Sequence, residues 1–341
     1  MSTPESAPPA GLAEMNRLID GYQATTLVYA ALKLGLPERM GATACTAQQL
    51  AGATGAPAER VFRLLRALAA IGVCEELPDA SFALSAAGLQ LRADSGSGLR
   101  EKAILAVEHY WPAWAAFEHC VTREQTAFAA AFGMTPWEYR RDHPRLGESF
   151  NTWLAAETRA NCASVVAALD VAHTSRVADI GGGNGGLLRA LLLAHPHLSG
   201  VLFDQPHVIR QAAASVGEEF GGGRVQFAGG DFFAEIPVQA ELYLLKSVLH
   251  DWDDADATHI LRNCRAAMPA HARLALIERV LPDRAAQAPA TIMVDVQMMA
   301  ITGGRERRLG EFERLLQHGG LAVRGVTHTA AGFAIIEAVA A

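Results

Sequence analysis

Apolar residues recur at helical spacing through the first third of the chain, and this pattern predicts a mainly helical N-terminal region. One helix is expected over residues 11–34, ending at the Gly35-Leu36-Pro37 turn. Two short helices and then a hairpin of two strands follow, over residues 46–52, 57–71, 73–77 and 81–84. This order of helix, turn, helix and hairpin is typical of a winged helix. Residues 100–168 are again helical in pattern and rich in aromatic rings.

From about residue 175 the pattern changes to short apolar strands that alternate with helical stretches. The strands are expected at residues 177–180, 200–204, 225–227, 242–245 and 274–277. Such alternation indicates βαβ units and a doubly wound, mainly parallel α/β sheet. A last pair of strands, over residues 322–329 and 333–339, is expected to close it. The chain should therefore have three parts: residues 1–100, a helical bridge over 101–168 and an α/β domain over 169–341.

Composition and charge narrow the choice of function. Half of the 341 residues are apolar, and the net charge of −7 gives no general attraction to nucleic acid or to an anionic membrane. No apolar run approaches the ~20 residues that a membrane-spanning helix needs. The first nine residues lack the features of a signal peptide and are expected to form a short disordered lead. The five cysteines are scattered, which favours free thiols in the reducing cytoplasm over disulfides or metal ligands.

A glycine-rich turn follows the first strand of the α/β region. Gly181, Gly183 and Gly186 match the pattern G-x-G-x-x-G. Glycines let the chain turn sharply and let a ligand approach the backbone, and the next helix offers free amide groups. The pattern alone also suits dinucleotide enzymes. Asp179, two residues before the first glycine, favours a cationic or amino-bearing ligand over a pyrophosphate.

Acidic residues follow the next two strands. Asp204 can accept hydrogen bonds from both hydroxyls of a ribose. Asp231 can supply an acceptor for an adenine amino group, and Phe232 a ring that stacks on the base. Three such sites after three successive strands predict a nucleotide cofactor.

The run from Lys246 to Asp254 places a histidine, His250, just after a buried strand. An imidazole in this position could take a proton from a bound substrate. Together with the glycine turn, the run suggests group transfer from a nucleotide cofactor to an acidic hydroxyl.

These stretches resemble the class I S-adenosylmethionine-dependent O-methyltransferases. The closer resemblance is to the plant caffeic acid and isoflavone enzymes and to bacterial enzymes of aromatic natural products, and the alanine-rich composition is more like the bacterial members. The matching stretches are residues 179–185, 203–206, 229–232, 246–254, 278–282 and 303–306. The resemblance covers nearly the whole chain. It implies a Rossmann-like methyltransferase sheet and an N-terminal winged-helix region that acts as a homodimerisation domain.

The resemblance also implies roles for the cofactor-binding residues. The loop with Gly181 and Gly183 would hold the methionine portion of S-adenosylmethionine, and Lys246 would lie against the cofactor. Asp204 would bind the ribose. Asp231 and Phe232 would bind the adenine.

The same resemblance makes His250 the base, with Glu278 and Glu306 as the two carboxylates beside it. Each has a plain structural alternative: a helix start for His250, an exposed strand-end acid for Glu278 and a solvated salt bridge for Glu306. The acids at 251, 253 and 254 suggest magnesium at first sight. In the family this run begins a helix, where carboxylates meet free amide groups, so no metal is predicted.

The substrate pocket is expected to receive residues from two regions. Phe150 and Leu154 resemble pocket residues of the family by position. Met298, Met299 and Thr302 are expected to line the same pocket for a flat ring, with core packing as an equal alternative for the methionines.

The predicted function is methylation of an aromatic hydroxyl of a small secondary metabolite by in-line displacement that His250 assists. An ordinary imidazole pKa lies about 3.5 units below that of a phenol, so full proton transfer would cost roughly 5 kcal/mol unless the glutamates favour the imidazolium. Three alternatives are an NAD-type oxidoreductase, a family member with lost or altered chemistry, and a non-enzymatic DNA-binding regulator. The last would use Arg60, Arg63 and Arg66, which recur along one helix.

Overall fold

The computed structural model describes residues 10–41, 43–216 and 223–341. The predicted N-terminal lead therefore lies outside the described residues. The chain divides into two compact units, one formed by residues 1–111 with 148–153 and the other by residues 112–147 with 154–341.

The first unit is mainly helical and contains one small sheet. Its helices are α1 Ala10–Ile19, α2 Gly21–Lys33, α3 Leu36–Met40, α4 Ala47–Thr54, α5 Ala58–Ala70, α6 Ala86–Leu89 and α7 Leu99–Leu105, with a 3₁₀ turn at Ala93–Ser95 and a π-helical turn at Ala106–Tyr110. Strands β1 Cys45–Thr46, β2 Cys74–Glu76 and β3 Ser81–Leu84 pair antiparallel in the order β1-β3-β2. The predicted order of two helices and a hairpin is therefore present in α4, α5, β2 and β3.

Local sequence explains where these helices begin and end. Thr46 caps α4 because its hydroxyl accepts a hydrogen bond from the Gln49 N–H, while the Gln49 side chain accepts one from the Thr46 N–H. The predicted single helix over residues 11–34 is wrong, since α1 ends at Ile19 and α2 begins at Gly21. A glycine next to an aspartate is a poor helical pair, and the chain turns at Asp20 between the two helices.

The second unit contains the α/β sheet. The helices from the unit boundary onward are α8 Trp111–Ala115, α9 Phe117–Thr122, α10 Ala127–Phe132, α11 Pro136–Asp142, α12 Pro144–Ala168, α13 Gly186–Ala194, α14 Pro206–Val216, α15 Asp254–Ala267, α16 Pro289–Ile301 and α17 Leu309–His318. The strands are β4 Arg176–Ile180, β5 Ser199–Asp204, β6 Val225–Gly229, β7 Leu242–Lys246, β8 Arg273–Glu278, β9 Leu321–His328 and β10 Ala334–Ala340. Short 3₁₀ turns occur at Leu249–Asp251 and Ala285–Gln287.

The seven strands form one sheet in the order β6-β5-β4-β7-β8-β10-β9. The five strands β4 to β8 run parallel, whereas β10 lies antiparallel to both β8 and β9. This confirms the predicted, mainly parallel sheet and its closing pair of strands. The C-terminal ends of strands β4 to β8 all lie along one edge of the sheet, here called the carboxyl edge. Ligands bind at this edge in open α/β sheets.

Alternate residues of the strands pack on opposite faces of this sheet, because successive side chains of a strand point to opposite sides. On one face, Ile180 and Leu245 join a core with α15 and α17. On the other, Val177 and Leu244 join a core with α12 and α13. Helices cover both faces, so the strands read as continuous apolar runs. Among the described residues, no helix is long and apolar enough to cross a membrane.

Candidate active site

The glycine turn after β4 is shaped by close contacts. Gly181, Gly183 and Gly185 all have positive φ, a conformation that favours glycine. A Cβ on Gly182 would come within 2.7 Å of the Asp179 carboxylate, and a Cβ on Gly181 would come within 2.9 Å of Val248. The turn therefore lies directly against the segment that leads to His250. The half-buried backbone before α13 offers amide groups that could cradle a ligand.

Asp179 is 1% exposed, and its Oδ2 atom has no hydrogen-bond partner among the described residues. Burial raises the pKa of this carboxyl to about 7, while Lys246 acts to lower it. A buried acceptor without a partner is costly, and a ligand that brings a donor removes that cost. The site thus fits the amino-bearing ligand that the sequence indicates.

Asp204 and Lys246 end the two strands on either side of β4. The Asp204 carboxylate accepts hydrogen bonds from the N–H groups of Gly183 (2.8 Å) and Gln205 (2.6 Å). Burial raises the pKa of Asp204 against these bonds. Each carboxylate oxygen has two lone pairs, so acceptor capacity remains for ribose hydroxyls. Burial lowers the pKa of Lys246, while the charges of Asp179 and Glu278 oppose that shift.

Asp231 and Phe232 follow β6 at the same edge. Asp231 is exposed, and one of its oxygens accepts a hydrogen bond from the Phe233 N–H at 2.9 Å. The Phe232 ring stands nearly perpendicular to the ring of Trp252 with centroids 6.0 Å apart. A Cβ on Gly181 would lie 3.6 Å from this phenylalanine, so the ring borders the glycine turn.

His250 lies in the 3₁₀ turn after β7, and its Nδ1 is 2.8 Å from Oε1 of Glu306. Glu278 ends β8, and its Oε1 accepts hydrogen bonds from the N–H groups of Val248 (3.0 Å) and Leu249 (2.9 Å). Glu278 and Glu306 are fully buried. The alternatives of an exposed acid and a solvated salt bridge are therefore wrong for these two residues.

The carboxylates around His250 determine its charge. Burial alone would lower the pKa of His250, but the hydrogen bond that its ring donates to Glu306 and the negative charges of Glu278 and Asp251 raise it to about 10. Burial raises the pKa of Glu278 as well, against the charge of His250. The imidazole is thus held among acids that stabilise its protonated form.

The acids after His250 have separate roles. Asp253 is the N-cap of α15 and accepts hydrogen bonds from the N–H groups of Ala255 and Asp256 at 2.9 Å. His250 lies before this cap, so it is not part of the helix start. Asp251 is near the imidazole, and burial raises its pKa against the charges of His250 and Arg140.

The predicted substrate residues are distributed over both units. Phe150 belongs to the first unit, where its ring contacts Trp153 with centroids 5.9 Å apart. Leu154 lies on α12 in the second unit and is 42% exposed. On α16, Met299 is exposed, and the Thr302 hydroxyl just after this helix donates to the carbonyl of Met298 at 3.1 Å. The structure brings Met298 and Thr302 together, and the shared pocket stays a prediction.

Three functional candidates were missed at the sequence level, all of them in or next to the segment that carries Glu306. Asp295 on α16 accepts the Glu306 N–H at 2.8 Å. Gly304 packs on the backbone of the His250 turn. Arg307 is fully buried and bonds to the carbonyls of the same turn. The run of charged residues from 305 to 308 carried no signal that one arginine would point inward.

A glycine cradle, acids after three successive strands and a histidine held by a glutamate define the site of a Rossmann-like, nucleotide-dependent transferase. The sequence model of the O-methyltransferase domain family matches residues 114–322, and the chain belongs to this family.

Individual relatives match over nearly the full length. The chain is 38% identical over 323 residues to phenazine O-methyltransferase PhzM of Lysobacter antibioticus, covering 94% of each chain. The solved structure of mitomycin 7-O-methyltransferase MmcR is similar with a TM-score of 0.92 at 34% identity, covering 97% of this chain and 98% of that one. NcsB1 from neocarzinostatin biosynthesis, solved with S-adenosylmethionine and 2-hydroxy-5-methyl naphthoic acid, has a TM-score of 0.81 at 34% identity, covering 93% and 96%.

These similarities confirm the predicted family, the predicted enzyme class and the predicted cofactor. The chain is an O-methyltransferase that depends on S-adenosylmethionine. The alternative of an NAD-type oxidoreductase is not favoured. It was based on the G-x-G-x-x-G pattern, and methyltransferases share that pattern.

Proposed function

We propose that the enzyme methylates a hydroxyl of a small aromatic natural product and that His250 receives the hydroxyl proton. The observation that carries this proposal is the hydrogen bond between His250 and Glu306, beside Glu278, at the edge of the sheet that also holds the glycine turn. The glycine turn packs against Val248, two residues before His250 in the chain. The naphthoic acid bound to NcsB1 supports a flat aromatic acceptor.

The raised pKa of His250 makes the neutral imidazole a stronger base toward a phenol. At about 10 it matches the pKa of a phenol, which is also ~10, so transfer from a bound phenol to the neutral imidazole is nearly balanced, whereas with an ordinary imidazole it would cost roughly 5 kcal/mol. The same shift keeps the ring protonated at neutral pH, so the imidazolium and phenolate pair forms once one proton has left the site. It forms equally by proton transfer from a bound phenol or by binding of a phenolate to the protonated histidine.

The hydrogen bond to Glu306 also orients the ring. With Nδ1–H donated to the carboxylate, Nε2 is the nitrogen that faces the acceptor hydroxyl. This arrangement fixes the direction from which the proton is removed. Alignment of two reactants can be worth effective molarities of ~10⁵–10⁸ M.

The cofactor-binding residues fit S-adenosylmethionine on the observations above. The unpartnered Oδ2 of Asp179 suits the amino group of the methionine portion, which the backbone at Gly181 and Gly183 would hold. Asp204 would bind the ribose, and Lys246 would lie against the cofactor. Asp231 and Phe232 would bind the adenine. When bound, the cofactor supplies an electrophilic methyl group.

Replacing Asp204 by alanine is expected to raise the dissociation constant of S-adenosylhomocysteine about 10- to 100-fold. The change removes a charged acceptor, and hydrogen bonds to charged groups are worth ~1.5–3 kcal/mol each. Isothermal titration calorimetry measures the effect, with the exposed Asp283→Ala as control. Unchanged affinity in Asp204→Ala would refute the ribose assignment.

We expect activity without a metal ion. The ligand atoms of His250, Glu278 and Glu306 lie within 4.8 Å of one another, close enough to hold a cation. However, His250 Nδ1 and Glu306 Oε1 already bond to each other, and Glu278 Oε1 accepts two backbone amides. A proton held on His250 also competes with metal binding. Turnover should persist in excess EDTA, and a loss that added Mg²⁺ or Zn²⁺ restores would contradict this.

The acceptor class can be tested directly. Incubating the protein with S-adenosylmethionine and a panel of hydroxylated and amino-substituted aromatics, followed by mass spectrometry, should reveal products heavier by one methylene unit. We expect products from phenolic members of the panel, and none from aliphatic alcohols incubated as a separate control. Cofactor binding without any methylated product would instead favour a family member with altered chemistry.

We further propose that residues 1–100 form a winged-helix dimerisation domain, residues 101–168 contribute to the substrate pocket, and residues 169–341 bind the cofactor. A row of large apolar side chains on α1 is more than half exposed, namely Leu12, Met15, Leu18 and Ile19. An apolar row of this kind marks an interaction surface, and a second copy of the chain is the proposed occupant. The dispersed cysteines, all free, fit a cytoplasmic enzyme.

Two variants can distinguish a dimer interface at the α1 apolar row from a general effect of added surface charge. The double change Met15→Glu with Ile19→Glu should convert a dimer into a monomer, because it places charge in the apolar row. Analytical ultracentrifugation measures the mass. Leu193→Glu, at an apolar position on α13 that is 60% exposed, serves as control and should remain dimeric. A monomeric wild type would contradict the proposal.

A further inference from the structure

Arg307 has the largest fully buried side chain among the described residues. Its guanidinium donates hydrogen bonds to the carbonyl of Leu249 at 2.8 Å and to the carbonyl of Trp252 at 2.8 Å. Its Nε donates to Oδ1 of Asp254 at 2.9 Å. The two carbonyls belong to residues on either side of the His250-Asp251 pair. One planar group therefore holds both ends of the turn that carries the base.

The backbone of Arg307 is fixed at the same time. Its carbonyl accepts a hydrogen bond from the Leu281 N–H at 2.9 Å, and a parallel bridge joins it to Val280. Val280 follows Glu278 by two residues, and Arg307 directly follows Glu306. The same residue thus connects the segments that carry His250, Glu278 and Glu306.

The nature of these contacts argues against a purely stabilising role. Burying a guanidinium is costly, and its one carboxylate partner within the described part of the chain, Asp254, has a side chain that is 59% exposed. Toward the interior, the guanidinium donates to the backbone carbonyls of Leu249 and Trp252. An apolar side chain of similar size could fill the same space without these hydrogen bonds. The planar fork of arginine can hold two carbonyls and a carboxylate in fixed directions, whereas the single ammonium of lysine cannot.

We propose that Arg307 is a positioning residue that sets the distance and direction between the His250 imidazole and the Glu306 carboxylate. This inference rests on the proposed function of His250 as the proton acceptor. Arg307 acts through the backbone on either side of His250 and through its own peptide link to Glu306, without contact to the acceptor.

Kinetics of Arg307→Lys test the proposal, with Arg308→Lys as the exposed neighbouring control. We expect kcat of Arg307→Lys to fall about 10- to 100-fold, since a small misplacement of a catalytic group can cost ~10²-fold. The KM for the acceptor and the dissociation constant of S-adenosylhomocysteine should stay within about twofold of wild type. Arg308→Lys should behave like wild type. A kcat within twofold of wild type in Arg307→Lys, or a loss of S-adenosylhomocysteine affinity as large as the loss of kcat, overturns the proposal.

A second measurement needs no methyl transfer. In the ligand-free protein with ¹⁵N-labelled histidine, NMR should show the His250 ring titrating well above the ordinary histidine range, with its signal assigned by its loss in His250→Ala. In Arg307→Lys the titration should move toward the ordinary value, because the bond to Glu306 is weakened. An unchanged titration overturns the positioning role. If no acceptor is ever methylated while this shift occurs, the proposed function fails and the positioning role stands.

Asp254→Ala covers the case in which Arg307→Lys does not fold. It removes one acceptor of the guanidinium at a half-exposed site and leaves the two carbonyl contacts in place. We expect kcat to fall about fivefold, the equivalent of one ordinary hydrogen bond, with the His250 titration displaced in the same direction. Wild-type kcat and titration in this variant overturn the proposal.

Discussion

Replacing His250 by alanine is expected to lower kcat by about 10²–10⁴-fold, the range usual for loss of a general base. The variant keeps the glycine turn and Asp204, so the affinity for S-adenosylhomocysteine should remain close to that of wild type. Steady-state kinetics and calorimetry together measure the two effects. His318→Ala, an exposed histidine on α17, is the matched control and should leave both unchanged.

The pH dependence adds an independent check on His250. Its pKa of about 10 means that the ligand-free site carries an imidazolium at neutral pH. The His250 imidazolium and a neutral phenol must together lose one proton before methyl transfer, so the wild-type rate should rise with pH toward about 10. With acceptors whose hydroxyls are more acidic, the His250→Ala variant should lose less activity, since these hydroxyls are already ionised. A parallel collapse of cofactor affinity in this variant would make His250 structural instead.

Replacing Gly304 by alanine is expected to lower kcat by about 10²-fold, because the added methyl group has no space. A Cβ at this position would lie 2.0 Å from the carbonyl oxygen of His250 and 2.4 Å from the carbonyl carbon of Asp251. Both are backbone atoms, which cannot rotate away. The loop must lift from the turn, and Glu306, two residues further on, moves with it.

Gly310→Ala is the matched control for this change. Gly310 lies in α17 near Gly304 in sequence, and a Cβ there meets only an arginine side-chain tip at 3.8 Å. Alanine is favoured over glycine inside a helix, so this variant should be active and slightly more stable. Measuring kcat and the melting temperature of both variants tests this prediction. Gly304→Ala with kcat within twofold of wild type would show that the contact with the His250 turn is unimportant.

The sheet and the positions of its ligand-facing residues could be predicted from sequence. Short apolar runs separated by helical stretches define parallel strands, and the residues after each strand must then lie at one edge. This reasoning placed Asp204 and His250 correctly along that edge, and the pairing of Lys246 with Ile277 brings Glu278, at the end of β8, to the same edge beside β7. The assignment of roles to these residues stays a prediction.

Burial of charged residues could not be predicted. Glu306 and Arg307 lie in a run of charges, and Glu278 follows an apolar strand, but sequence patterns do not show which charged side chain finds partners inside the protein. The requirement for glycine at position 304 could not be predicted either, because it comes from contact with the backbone of residues more than fifty positions earlier in the chain. The break between α1 and α2 was missed because the apolar stripe continues across Asp20 and Gly21.

The buried carboxylate of Asp179, together with Asp204 and Asp231, has a consequence for the reaction cycle. The groups proposed to bind there are the amino group, the ribose and the adenine, which are the same in the methyl donor and in its demethylated product. These three acids would make the same hydrogen bonds to both molecules. The spent product should therefore compete with fresh donor, and steady turnover should depend on its removal.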